Sequence, residues 1–98
     1  MEFRFADKKL QRLYTEPQNT LGFGPNVVKA FRKAMGLIKD ALNEQDFYRM
    51  KSLHYEKLRG KRNRQRSMRL NDQFRVIVEI ENRVGRTVVV VGIEKHYE

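Results

Sequence analysis

Along the chain the spacing of apolar positions changes period more than once. Phe3 and Phe5 alternate with Glu2 and Arg4, which predicts a short half-buried strand. Asp7 then suits the N-cap of a helix that carries Leu10, Leu13 and Tyr14 and ends before Pro17. Pro17, Asn19, Gly22 and Gly24 interrupt any period between Glu16 and Gly24, so a loop is expected there, and Pro25 fits the first turn of the next helix. In that helix Val27, Phe31, Ala34, Ile38 and Ala41 fall on one stripe that runs on to Leu42, with Lys29, Arg32, Lys33, Lys39 and Asp40 off it. Periodicity of this kind assigns its Phe and Met to the core rather than to a ligand pocket. From Asn43 to Leu53 the pattern does not decide between a loop and a short helical turn around Phe47, Tyr48 and Met50.

From Arg64 the period becomes two. Met68 and Leu70 alternate with Ser67 and Arg69, and Phe74, Val76, Val78 and Ile80 alternate with Arg75, Glu79 and Glu81, giving two strands with one apolar face each. Parity sets the loop between them. A two-residue loop would place Arg69 opposite Phe74, whereas a loop of Asn71, Asp72 and Gln73 pairs Leu70 with Phe74 and Met68 with Val76. The same register sets Arg69 against Arg75, a like-charge pair that costs roughly 0.2 to 1 kcal/mol by itself and makes sense as a phosphate clamp. Gly85 turns the chain again, and Thr87 to Ile93 reads as a central strand buried on both faces. The chain then runs into the ionisable cluster Glu94, Lys95, His96, Tyr97 and Glu98. Helices followed by an antiparallel meander, with one early strand, predict an α+β fold with the helices on one face of an antiparallel sheet. The 98 residues make a single domain over 1–98, able to remove about two-thirds of its unfolded surface from water.

Charge narrows the class of partner. The formal charge of +9 arises from 21 Lys and Arg against 12 acids. Seven basic residues and no acid lie from Lys57 to Arg69, among them Arg59, Lys61, Arg62, Arg64 and Arg66. Such a field calls for a polyanion, with nucleic acid ahead of an anionic membrane. No amphipathic basic helix is present, and the longest apolar run, Val88 to Val91, cannot span a bilayer, so no membrane role is expected. Arg4 and Asp7 stand where a signal peptide needs an apolar core, and there is no cysteine; a reducing, cytoplasmic setting is expected.

Two histidines, no cysteine and no His-Glu-x-x-His spacing give no dedicated metal site, and Gly22-Phe23-Gly24 lacks the Lys-Ser/Thr of a phosphate loop. No cofactor is expected. RNA cleavage needs none: a base takes the 2′-hydroxyl proton, the oxygen attacks the adjacent phosphorus, cations stabilise the added charge and an acid protonates the leaving 5′-oxygen. His54 and Lys57 before the basic run, Arg69 and Arg75 on the hairpin, and Glu94, Lys95 and His96 after the valine strand supply those groups. Arg59, Lys61, Arg62, Arg64 and Arg66 would line the RNA path, with Tyr97 or Tyr55 as a stacking platform. Each has a plain structural reading beside it: a backbone-bonded loop histidine, a solvated basic loop, tyrosines packed in the core.

The run Leu58-Arg59-Gly60, then Ser67 to Arg75, a valine-rich strand and the terminal His96 resembles the HigB branch of the RelE-like bacterial toxins. The likeness is close from Met50 onward and extends to the helical first half in length and layout. It implies a small α+β toxin domain that cuts messenger RNA in the A site of the small ribosomal subunit, against ribosomal RNA, and that is neutralised by a HigA-like helix-turn-helix antitoxin. By the same resemblance His54 and Lys57 belong to the active site, Arg69 and Arg75 bind the scissile phosphate and His96 is an acid or base. The chain departs from the family pattern at Lys61, where Asp is common, and at Glu94-Lys95-His96, where Asp-Tyr-His is common. The alternative is a non-catalytic basic module that binds RNA or the ribosome. A DNA-binding partner ranks below both, because the long helix spends its periodic face on the core.

Overall fold

The computed structural model describes residues 1–82 and 86–95; Gly85, His96 and Tyr97, singled out above, lie outside them. Strand β1 (Glu2–Phe5) leads into α1 (Lys8–Thr15), α2 (Pro25–Asp40) and α3 (Glu44–Arg49), and then into β2 (Glu56–Lys57), β3 (Gln65–Arg69), β4 (Phe74–Glu81) and β5 (Thr87–Lys95). The strands form one sheet in the order β1-β5-β4-β3-β2, and the three helices pack against one of its faces.

Local chemistry explains the helix ends. The Asp7 side chain accepts from the Leu10 amide at 2.9 Å, and α1 stops at Thr15, before Pro17. Pro25 begins α2, as expected. The undecided stretch after it contains α3, whose N-cap Asn43 accepts from the Asp46 amide while Asp46 accepts from the Leu42 amide at 2.8 Å. That bond leads the effects that hold the Asp46 carboxyl below its ordinary value. Arg32, off the apolar stripe of α2, gathers the loop after α1 by donating to the carbonyls of Leu13, Glu16, Pro17 and Asn19. The ring of Phe23 at the end of this loop then meets Phe74 edge-on at 5.6 Å, steadying the base of β4.

The core lies between the helices and the inner sheet face. Leu13, Phe31, Met35, Ile38 and Phe47 meet Met68, Val76, Val78, Val88 and Val90, all fully buried, and each such side chain stabilises the fold by about 1.5 to 3 kcal/mol. The β3–β4 register is the one parity required, with Met68 opposite Val76 and Arg69 opposite Arg75. The β4–β5 pair is antiparallel too, but β1 joins β5 in parallel, so the sheet is mixed. Alternation reveals which face a residue takes and is silent about strand direction, which is why this join was not legible.

A bulge in β5 sets the outer face. Ile77 pairs with Gly92 and Val78 with Val90, leaving Val91 as an extra residue. One extra residue reverses the alternation beyond it. Ile93 therefore joins the core side while Glu94 comes to the outer face, directly opposite Arg75.

Candidate active site

The outer face carries polar side chains in rows across the strands. Arg69 and Arg75 face each other beside the turn of the β3–β4 hairpin, with Glu94 beside Arg75 on β5. One step inward lie Glu56, Ser67 and Ile77, paired across β2, β3 and β4. His54, Glu56, Ser67, Arg69, Asn71 and Arg75 line one cleft of about 670 Å³, which Asp72 and Phe74 close at the hairpin end.

The chain reaches this cleft through a strained corner. A short 3₁₀ turn over Lys51–Leu53 ends at His54, which takes the left-handed conformation at φ 44° and ψ 51°. The Cβ of any residue but glycine makes that conformation costly by roughly 1 to 2 kcal/mol, so something must hold it. Tyr55 does. Its ring is buried against Phe47 and Tyr48 at 5.3 and 4.8 Å, and its hydroxyl donates to Glu44 at 2.8 Å. Glu44, with only 13% of its side chain exposed, also accepts from Arg66 Nε at 3.0 Å. Burial first, and then the Glu44 carboxylate, push the Tyr55 phenol well above its ordinary value, so it stays a donor. With Tyr55 fixed toward the helices, its neighbours His54 and Glu56 are presented to the cleft.

The two facing arginines are neutralised from the sides. Arg69 pairs with Asp72 of the hairpin loop and also donates to the Asn71 carbonyl. Arg75 stands 3.7 Å from Glu94, and its Nε is buried without a hydrogen-bond partner. A buried donor left unsatisfied costs about 1 to 3 kcal/mol. Glu94 is held instead by Arg62, at 3.0 Å and 2.5 Å to its two oxygens, while Arg62 Nε donates to Gln65 on β3. The Glu94 carboxylate holds the Arg62 guanidinium more firmly in its charged form.

The sequence-named residues therefore separate into groups. His54, Arg69 and Arg75 share the cleft, and Glu94 adjoins it through Arg75. Lys57 pairs with Arg66, points away from Glu56 by strand parity, and lines a second cleft of about 600 Å³ with Arg4, Asn63 and Arg64. Lys95 pairs with Phe74 and so lies on the face opposite Glu94. Arg59, Lys61 and Arg64 are exposed, Arg62 is tied to Glu94, and Arg66 is tied to Glu44. Glu56 was not singled out from the sequence. The available signal was a lone acid immediately before an acid-free basic run, at the strand parity of His54.

The family model for the RelE-like toxin HigB of type II toxin-antitoxin systems matches residues 3–93. A YoeB/ParE toxin from Agrobacterium tumefaciens has a similar structure, with a TM-score of 0.61, 13% sequence identity, and 99% of this chain and 100% of that chain covered. At that identity the likeness concerns the fold alone. No curated protein matches the chain. No helix among the described residues is long and apolar enough to cross a membrane.

Proposed function

The chain belongs to the HigB-like family of RelE-like toxins in type II toxin-antitoxin systems, whose general activity is endoribonucleolytic, and on that premise we propose a ribosome-dependent endoribonuclease that cuts messenger RNA without a metal ion. One observation carries the reading: two arginines directly opposite each other open into the same cleft as an imidazole and a carboxylate. Arg69 and Arg75 hold the scissile phosphate and stabilise the charge that builds on its oxygens. Glu56 accepts the proton of the ribose 2′-hydroxyl, whose oxygen bonds to phosphorus as the bond to the 5′-oxygen breaks. The imidazole of His54 returns a proton to that leaving oxygen. The products are a 2′,3′-cyclic phosphate and a free 5′-hydroxyl. His96 is a second candidate acid; Glu94 adds charge beside Arg75 at the end of β5, and Lys95 adds charge on the opposite face. Lys57, Arg59, Lys61 and Arg64 extend the positive face toward ribosomal RNA, with Tyr97 as a stacking surface.

Membership in the family implies an antitoxin, for which we propose a HigA-like helix-turn-helix protein; the ribosomal target places the activity in the cytoplasm. The test is primer extension on a translated reporter message after brief induction, beside the same message without its start codon. New 5′ ends on the translated message alone support the reading, and Glu56→Gln, His54→Ala and Arg75→Ala should each remove them. Cuts on both messages would make the protein a free ribonuclease. Cuts on neither, with RNA binding intact, would leave a non-catalytic ribosome-binding module.

A further inference from the structure

Arg62 crosses the outer face. It bonds Gln65 on β3 and Glu94 on β5, so its guanidinium spans β4 at the row of Ile77, whose side chain is fully buried although no helix covers that side. At its far end one carboxylate sits between two guanidiniums, bound in a bidentate manner by Arg62 and reached by Arg75 at 3.7 Å. Carboxylate and phosphate are taken by arginine in the same forked geometry. Arg75 meanwhile keeps a buried Nε with no acceptor, so the constellation is one anion short of full use of its donors.

We propose that Glu94 is a resident stand-in for phosphate: Arg62 and Arg75 form a second phosphodiester subsite beside the Arg69–Arg75 clamp, and the backbone phosphate of single-stranded RNA next to the scissile one displaces Glu94 from it. Before RNA arrives, the bridge offsets one of the two positive charges and holds the basic turn over Gly60–Arg62 down on the sheet. When RNA enters, Arg62 exchanges one forked partner for another. This inference rests on reading the outer face as an RNA-binding face.

The test measures equilibrium binding of a fluorescein-labelled, 2′-O-methylated twelve-nucleotide single strand, which cannot undergo 2′-hydroxyl attack, over a range of salt concentrations. Glu94→Gln keeps the shape and removes the competing charge. It should tighten binding about tenfold, the scale of one freed charge-assisted hydrogen-bonding group, and steepen the log–log salt slope by up to about 0.7, because no displaced carboxylate is left to take up a cation beside the bound phosphate. Glu81→Gln is the control, since it makes the same change of charge on the same face and releases Arg4 instead. Its effect should be roughly two- to threefold, with an unchanged slope. In an Arg62→Ala background the gain from Glu94→Gln should vanish. Glu94→Asp, which draws the carboxylate back from Arg62, gives a milder variant with an intermediate gain should the glutamine protein fold poorly. A Glu94→Gln effect no larger than that of Glu81→Gln, or one that persists without Arg62, overturns the subsite while leaving the RNA-binding face in place. Failure of the unsubstituted protein to bind the strand at any salt concentration overturns both.

Discussion

The Glu44 carboxylate joins three elements, and its removal should expose how the cleft is held. It accepts from Tyr55 Oη at 2.8 Å and from Arg66 Nε at 3.0 Å, with its own side chain 13% and that of Arg66 20% exposed. Glu44→Ala leaves a guanidinium and a phenol without their acceptor. Breaking a fully buried pair costs about 3 to 5 kcal/mol, and the residual exposure here favours the lower end, about 3 kcal/mol. Tyr55→Phe keeps the ring against Phe47 and Tyr48 and removes one hydrogen bond to a charged acceptor, about 1.5 kcal/mol. In the Glu44→Ala background the hydroxyl has lost its partner, so the second substitution should cost less than about 0.5 kcal/mol, giving a coupling of about 1 to 1.5 kcal/mol. A domain of this size is stable by about 5 to 15 kcal/mol. The Glu44→Ala loss should therefore be plain in urea unfolding followed by far-ultraviolet circular dichroism, as a lower midpoint with an unchanged m value. Additive effects, or a Glu44→Ala cost below about 1 kcal/mol, would refute the idea that this carboxylate anchors the strand presenting His54 and Glu56.

Two further outcomes follow from the same corner of the fold. Because burial and Glu44 raise the Tyr55 phenol above its ordinary value of 10.0, the stability it gives is complete below that pH and is lost as pH rises toward the folded value. The stability advantage over Tyr55→Phe should thus shrink by about 1.4 kcal/mol per pH unit above pH 10, and a constant gap in alkaline unfolding curves would count against the shift. Gly at position 54 relieves the left-handed backbone, so His54→Gly should keep or raise stability by up to about 1 kcal/mol while abolishing cleavage, with a fall in melting temperature as the contrary result.

The hairpin was readable because period and turn chemistry agreed: only a loop of Asn71, Asp72 and Gln73 keeps both apolar faces together, and that loop puts Arg69 opposite Arg75. Asp7 and Pro25 likewise announced their helices. The cleft was harder to read, since its members come from separate strands. His54 and the arginines stood out by residue type, whereas Glu56 looked like an ordinary surface acid until β2 paired with β3.

By itself the sequence determined α1 and α2, the strands with one apolar face, the β3–β4 register and the positive field, because each follows from spacing or charge within a short window. Only the tertiary structure decided the rest. The parallel join of β1 to β5 depends on contacts more than eighty residues apart. The bulge at Val91 depends on how β5 must slide to keep Val88, Val90 and Ile93 in the core, and it turns Glu94 outward to meet Arg62 and Arg75. Lys95, close in sequence to active-site candidates, falls on the other face by strand parity, and Lys57 lines a neighbouring cleft instead. A run of four valines carries no alternation, so nothing local could reveal where the face would reverse.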